Sequence, residues 1–235
     1  MAVTIERVAY KPLRDAPRIA AMITAIGVSF FLEFFGALYF VFSARFIPYQ
    51  RPFDVVAWYI NNGIHQVVPG QSTPSGSITF SNILIIIILA SILVQILLQY
   101  LVRRTKIGVA MRATSFDKST ARLMGINVDQ VISFTFAIGA AFAGLGGVLY
   151  AIAYSQIYSQ MGILPGLKAF VAAVLGGIGS IPGALVGALI MGQAEALTMG
   201  YISTPMRDAV AFTILIIVLL VRPTGIFCEP EKEKA

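Results

Sequence analysis

The feature that most constrains the fold is a series of long apolar runs. Residues 19–42, 81–101 and 131–152 are apolar almost throughout, and Glu33 is the only charged residue among them. At the rise of an α-helix each run reaches about 30 Å, which is the thickness of the hydrocarbon core of a bilayer. Each run therefore predicts a transmembrane helix.

The apolar zone at 166–200 is longer, and the stretch GGIGSIPG at 176–183 interrupts it. We expect a short leg at 166–179, a break at Ile181-Pro182-Gly183 and a second leg at 183–200. Broken backbone at membrane depth is tolerated where other protein surrounds it.

A last apolar run, 204–221, stops at Arg222-Pro223 and predicts a further span. The predicted fold class is an all-α polytopic transmembrane helical bundle. It would be one membrane domain over 1–235, with about 5–6 passes and a broken helix at 176–183.

Composition excludes several classes of protein. Apolar residues make up 57% of the chain and charged residues 12%, whereas soluble domains carry about 25% charged residues. So little polar surface argues against a soluble enzyme, a disordered chain and a nucleic-acid binder. Cys228 and His65 are the only residues of their types, so we predict no internal disulfide, no metal site and no His-based catalysis.

The basic residues predict the orientation. Most of the 17 Lys and Arg residues lie in 1–18, 102–130 and 222–235, which the positive-inside rule places in the cytoplasm. The loop at 43–80, rich in Pro and Gly, would then be external and irregular. The basic residues outside the three cytoplasmic segments are Arg45, Arg51, Lys168 and Arg207.

Small residues recur every four positions in two spans. Gly139, Ala143 and Gly147 form one stripe, and Gly179, Gly183 and Gly187 form another. Such stripes let helix backbones approach closely in lipid. Each stripe indicates either static packing or a mobile interface beside a transport pathway, and the sequence leaves both open.

Two carboxylates fall within apolar spans. Glu33 is interpreted as an interface residue, and Glu195 either packs against protein or lines a pathway. Neither is expected to have a basic partner within a span, which argues against a proton relay or an ion-coupled carrier.

The polar loop at 103–130 predicts a surface helix over 114–125. Thr114 would cap the helix and Gly125 would end it. Phe116, Thr120, Leu123 and Met124 would share one face. The helix would lie on lipid headgroups or dock a cytoplasmic partner.

The chain resembles permeases of branched-chain amino acid ABC importers, of the LivH kind. The resemblance covers most of the chain outside the long external loop, and LKAFVAAVLGGIGSIPGA is its most specific stretch. It is carried by IERVAYKPLR (5–14), MRATSFDKSTARLMGINVDQVI (111–132), LKAFVAAVLGGIGSIPGALVGALIMGQAEAL (167–197) and RPTGIF (222–227).

The resemblance implies a multi-pass subunit in the bacterial inner membrane. A second homologous permease, two ATPase subunits and a periplasmic or lipid-anchored amino-acid-binding protein would complete the importer. The stretch 111–126 matches the family's coupling loop, which favours docking to the ATPase. The implied coupling residues are Arg112, Phe116, Asp117, Lys118, Arg122, Leu123 and Gly125. The broken helix would pack through Gly176, Gly177, Gly179, Pro182, Gly183 and Gly187, with Glu195 as a possible pathway residue.

The chain contains no G-x-x-x-x-G-K-[ST] stretch, so we expect no bound cofactor and ATP hydrolysis by a partner subunit. The alternative is a secondary carrier or channel for a small neutral solute such as urea or an amide, which would expect paired intramembrane charges or an inverted repeat. A membrane-embedded hydrolase has no support, since neither a nucleophile motif nor a suitable base is present.

The family carries helices before its IERVAYKPLR-like segment, so the resemblance also implies that N-terminal helices are missing here.

Overall fold

A computed structural model describes residues 1–13, 17–39, 41, 45–60, 64–66, 78–177, 179–222 and 225–227. The chain divides into two compact units, Met1–Gln160 and Met161–Ala235. That the whole chain acts as one membrane domain stays a prediction.

The first unit is built mainly of helices. Its α-helices are α1 (Ala2–Ile5), α2 (Arg18–Ala37), α3 (Asn82–Arg104), α4 (Lys106–Phe116), α5 (Lys118–Leu123) and α6 (Val128–Tyr154). A π-helix at Glu6–Tyr10 and a 3-10 turn at Lys11–Leu13 follow α1.

The N-terminal segment is helical and is attached to α6. Glu6 is completely buried, and its Oε2 accepts a hydrogen bond of 2.6 Å from the Ser133 hydroxyl on α6. The rings of Tyr10 and Phe136 lie 5.2 Å apart. A buried polar bond and an aromatic contact thus attach this segment to α6.

The first predicted span ends earlier than expected. Helix α2 stops at Ala37, and Leu38, which the prediction placed inside the helix, adopts an extended conformation. The second and third predicted spans are confirmed as helices, α3 and α6, each slightly longer than its apolar run.

The loop at 43–80 is not irregular throughout. Strand β2 (Ala57–Ile60) pairs antiparallel with β3 (Ile64–Gln66) and β4 (Ile78–Ser81). Strand β1 (Ile47–Pro48) pairs with β5 (Gln156–Ile157) beyond the end of α6. The Arg51 guanidinium also donates to the carbonyls of Ile152 and Ala153. These bonds pair carbonyls at the end of α6 that have no helical partner.

The second unit is a helical hairpin with a third helix against it. It contains α7 (Ile163–Gly176), α8 (Ile181–Tyr201), a 3-10 turn at Thr204–Met206 and α9 (Arg207–Val221). Its apolar core joins all three helices through Val171, Ala172, Met191 and Ala211, with Phe212 and Leu215 packed beside them.

Most apolar side chains lie on the outside of the helices. Four of the described helical segments are long and apolar enough to cross a membrane: Asn82–Arg104, Val128–Tyr154, Ile181–Tyr201 and Thr204–Val221. In α3 only 6% of the apolar window is buried. An apolar surface of this extent is typical of helices that face lipid or other membrane helices.

Candidate functional site

The predicted coupling loop is held against the end of α3 by a sharp turn at Thr105. The Thr105 hydroxyl accepts from the Gly108 backbone N–H at 3.1 Å and so caps α4. A Cβ on Gly108 would lie 2.2 Å from the Val102 carbonyl oxygen. Because no side chain fits there, Gly108 sets the angle between α3 and α4. The sequence argument missed this residue, whose only signal is the short T-x-x-G spacing.

The capping residue of the surface helix is Asp117, and the assignment to Thr114 was wrong. Thr114 is buried inside α4, whereas an Asp117 oxygen accepts from the Ser119 backbone N–H at 2.9 Å and starts α5. Hydrogen bonds from the Ser119 and Thr120 hydroxyls lower the pKa of Asp117 to about 2. The chain therefore forms two helices that meet at Asp117, and the later one is only Lys118–Leu123.

Gly125 ends α5 in the manner its sequence position predicts. Its φ is +82°, and its backbone N–H donates to the Arg122 carbonyl while that of Ile126 donates to Ala121. This is the left-handed C-terminal cap that glycine favours.

The loop presents an apolar tip to its surroundings. Phe116 is 88% exposed, Leu123 87% and Met124 78%, whereas Ala121 and Val128 on the inner side are buried. A cleft of about 480 Å³ lies beside the tip and is lined partly by Asp117, Lys118 and Arg122. Large apolar side chains flanked by charge at such exposure are typical of a contact surface for another protein.

The basic side chains of the loop are exposed and accessible to a partner. Arg112, Lys118 and Arg122 are all exposed. The ion pair between Arg122 and Asp129 is long, at 4.0 Å, and both side chains are about half exposed, so it contributes little to stability.

The glycine-rich stretch forms the tight turn of the α7–α8 hairpin. Helix α7 ends at Gly176, Gly177 and Gly179 both have positive φ, and the Ser180 hydroxyl caps α8 by accepting from Gly183 N–H. The break therefore lies at 177–180 and not at Ile181-Pro182-Gly183, where Pro182 already stands in the first turn of α8. Proline suits that turn because the N–H it lacks would have no helical partner.

Two glycines of the second stripe lie where α7 and α8 touch. A Cβ on Gly183 would lie 2.4 Å from the Gly176 carbonyl oxygen, and one on Gly187 would lie 2.2 Å from that of Ala172. Gly139 and Gly147 of α6, by contrast, have no such neighbour within 4 Å among the described residues. The α7–α8 contact is therefore made by backbone against backbone, as the stripe hypothesis expects for close packing.

A segment beyond α9 closes the hairpin. The backbone N–H groups of Ile226 and Phe227 donate to the carbonyls of Leu175 and Gly176 at 3.0 and 3.1 Å. The last carbonyls of α7 thereby gain partners, which helix ends otherwise lack.

Glu195 has a basic partner, so the sequence argument was wrong on this point. Lys168 Nζ on α7 lies 3.0 Å from Glu195 Oε2 on α8 and 2.8 Å from Asp208 Oδ1 on α9. Arg207 Nε approaches Asp208 at 3.4 Å and Glu195 at 4.0 Å. We call these four residues the charge cluster. Residues 168 and 195 are far apart in sequence, and the antiparallel hairpin brings them together.

The other predicted chemical residues stand apart from this cluster. Glu33 is half-buried on α2 and has no ion pair among the described residues. His65 lies exposed on β3, where its ring stacks on Tyr59 at 5.4 Å. Cys228 lies outside the described residues. Within the described part of the chain, no three His, Cys, Asp or Glu side chains could hold a metal ion.

The comparison with protein families decides the identity. The model of the branched-chain amino acid transport system permease component matches residues 17–219. The chain belongs to this permease family.

Curated relatives agree with this assignment. The high-affinity branched-chain amino acid transport system permease LivH of Salmonella typhimurium is 45% identical over 98% of this permease and 71% of its own length. LivH of Escherichia coli K12 is 46% identical over the same shares, and BraD of Pseudomonas aeruginosa is 42% identical, again over 98% and 71%. No solved structure matches the chain.

The residues that sequence reasoning missed in this permease are those paired across helices. Lys168 and Arg207 were noticed only as basic residues outside the cytoplasmic segments, and Asp208 and Glu6 were not singled out. One signal was present for Lys168, because a lysine inside a short apolar leg requires a nearby acid.

Proposed function

We propose that this permease is the membrane-spanning subunit of an ATP-driven importer for branched-chain amino acids, in the bacterial inner membrane. The observation that carries the proposal is the family match over residues 17–219. In this scheme a second, homologous permease completes the pathway and a separate binding protein delivers the amino acid. Two ATPase subunits supply the energy, and this chain binds no cofactor of its own.

The exposed tip of the coupling loop supports the ATPase contact. Phe116 and Leu123 project from a loop whose inner side is fixed by buried Ala121 and Val128. Such a rigid base with an apolar tip suits insertion into a groove of a partner. ATP binding would draw the two ATPase subunits together, and α4 and α5 would pass this motion to α3 and α6.

Pull-down of the ATPase subunit tests the contact. Gly125→Val forces a β-branched residue into positive φ at a cost of order 1–2 kcal/mol, and Arg122→Glu reverses an exposed charge. Both variants should insert normally and retain less ATPase than wild type. Gly144→Ala is the control, because a Cβ there would meet no described residue within 4 Å outside its own helical turn. Wild-type retention by both loop variants would leave α5 as a helix on the lipid surface.

The charge cluster is the one observation that favours a secondary carrier, since paired charges within membrane segments are typical of ion-coupled transport. Uptake of labelled leucine by the reconstituted complex, with and without an ATPase-dead partner, separates the two functions. Loss of uptake with the dead partner supports the importer, and retained uptake supports the carrier. Uptake of labelled urea in place of leucine would reject the amino acid substrate.

A further inference from the structure

The charge cluster has an unusual composition for a site within membrane helices. It contains two acids and two bases, and their side chains are between 16% and 37% exposed. Isolated charges are costly in such surroundings, but a set without net charge is tolerated when its members pair with one another.

The pairing inside the cluster leaves hydrogen-bonding groups unused. The contacts with Lys168 engage one oxygen of each carboxylate, Glu195 Oε2 and Asp208 Oδ1. Arg207 approaches both acids through Nε, and its two terminal nitrogens donate no hydrogen bond to any described residue. The Arg207 side chain is one-third exposed, and the guanidinium edge that carries the two terminal nitrogens has no hydrogen-bond acceptor among the described residues. That edge is suited to bind a carboxylate through two parallel hydrogen bonds.

The cluster also adjoins the apolar core of the second unit. Val171 follows Lys168 by one turn on α7, Met191 precedes Glu195 by one turn on α8, and Ala211 follows Arg207 by one turn on α9. All three belong to the buried core. The core side chains are themselves buried, so the contacts available to a ligand here are those of the charged groups.

We propose that the charge cluster receives the ammonium and carboxylate groups of a free α-amino acid during transport. The ligand's carboxylate would bind Arg207, and its ammonium would bind the free oxygens of Glu195 and Asp208. A zwitterion adds no net charge to the cluster, so its entry needs no counter-ion. The predicted topology places the end of α8 and the start of α9 on the external side, from which an importer takes its substrate. This inference rests on the proposed function.

Equilibrium binding of labelled leucine to the whole complex, in nanodiscs and without the binding protein, tests the site. The wild-type complex should bind leucine at millimolar concentration. Isocaproate, which lacks the ammonium group, and isoamylamine, which lacks the carboxylate, should compete poorly because each satisfies only half of the cluster.

Arg207→Gln should weaken leucine binding by about tenfold to a hundredfold, as expected for loss of a charge-assisted pair. Arg222→Gln is the matched control, since Arg222 directly follows the opposite end of α9. If Arg207→Gln fails to assemble, Arg207→Lys takes its place, because lysine keeps the charge but lacks the bidentate edge of the guanidinium. This variant should assemble and bind leucine about tenfold more weakly than wild type.

Three outcomes would overturn the inference. In the first, the wild-type complex binds no leucine when the binding protein is absent. In the second, the Arg207 variant that assembles binds leucine as tightly as wild type. In the third, isocaproate competes with labelled leucine as well as unlabelled leucine does. In each case the cluster would serve only to hold α7, α8 and α9 together through ion pairs. Failure of the proposed function looks different, because the wild-type complex with its binding protein would then not take up leucine at all.

Discussion

Single glycines decide how closely the helices of the second unit approach. Gly187 and Gly192 stand on the same helix and look equivalent in the sequence. In the structure the first faces the Ala172 carbonyl and the second faces open space. The difference comes from the partner helix, which no pattern within α8 records.

Alanine should therefore destabilise the α7–α8 hairpin at Gly187 and leave its stability unchanged at Gly192. Gly187→Ala places a Cβ 2.2 Å from a backbone oxygen, so the hairpin must open, and we expect a loss of about 1–3 kcal/mol. In Gly192→Ala the new Cβ meets no other described part of the chain within 4 Å beyond its own helix backbone, so this variant should be neutral. Thermal unfolding of the purified complex in detergent measures both, and equal unfolding temperatures would show that α7 and α8 do not touch at Gly187.

Asp117 supplies a prediction about pH. Its pKa is lowered from 3.8 to about 2, so the bound carboxylate stabilises α5 fully above about pH 4. This stabilisation should fall as the pH decreases towards 2. Carbon chemical shifts of the Asp117 carboxyl in the detergent-solubilised chain would report the titration, and a midpoint near 4 would contradict the capping bonds.

Asp117→Ala should speed hydrogen exchange at the Ser119 amide at neutral pH, because the acceptor of that N–H is lost. Asp117→Asn keeps an acceptor oxygen and is the control. Equal exchange in both variants would mean that the cap does not hold the start of α5.

At the scale of elements, the closure of the α7–α8 hairpin depends on a segment that follows a different helix. Gly225 makes this possible, since a Cβ there would lie 2.4 Å from Gly177 Cα. The backbone bonds from Ile226 and Phe227 then complete the end of α7.

Gly225→Ala should release this segment from α7. We expect faster hydrogen exchange at the Ile226 and Phe227 amides and lower thermal stability of the second unit, because two carbonyls lose their partners. Gly200→Ala is the control, since among the residues that the structure describes none outside the local helix backbone lies within 4 Å of its Cβ. Unchanged exchange at Ile226 would show that the segment tolerates a side chain at 225.

Sequence patterns predicted the helical elements better than their contacts. Apolar length alone located α3, α6 and the run at 204–221, and glycine correctly marked the end of α5. The short strands in 43–80 were missed because Pro and Gly there suggest irregular backbone. The charge cluster was missed because its members come from three helices, and only the folded hairpin makes them neighbours.

At the scale of the whole molecule, the distribution of basic residues makes a testable statement about topology. Residues 102–130 and 223–235 should be cytoplasmic and 43–80 external, because only Arg45, Arg51, Lys168 and Arg207 lie outside the basic segments. Reporter fusions after Gln71, Asp117 and Lys234 measure this directly. An externally active reporter at Asp117 would reverse the orientation.

The helices of the second unit differ in length, which affects how well each matches the thickness of the bilayer. Helix α8 has 21 residues, which is about 31 Å, whereas α7 has 14, or about 21 Å. A short helix beside a long one creates a hydrophobic mismatch with a membrane whose acyl region is about 30 Å thick. Lipid next to α7 must thin or be replaced by protein, so uptake should decline as the acyl chains of the host lipids are lengthened.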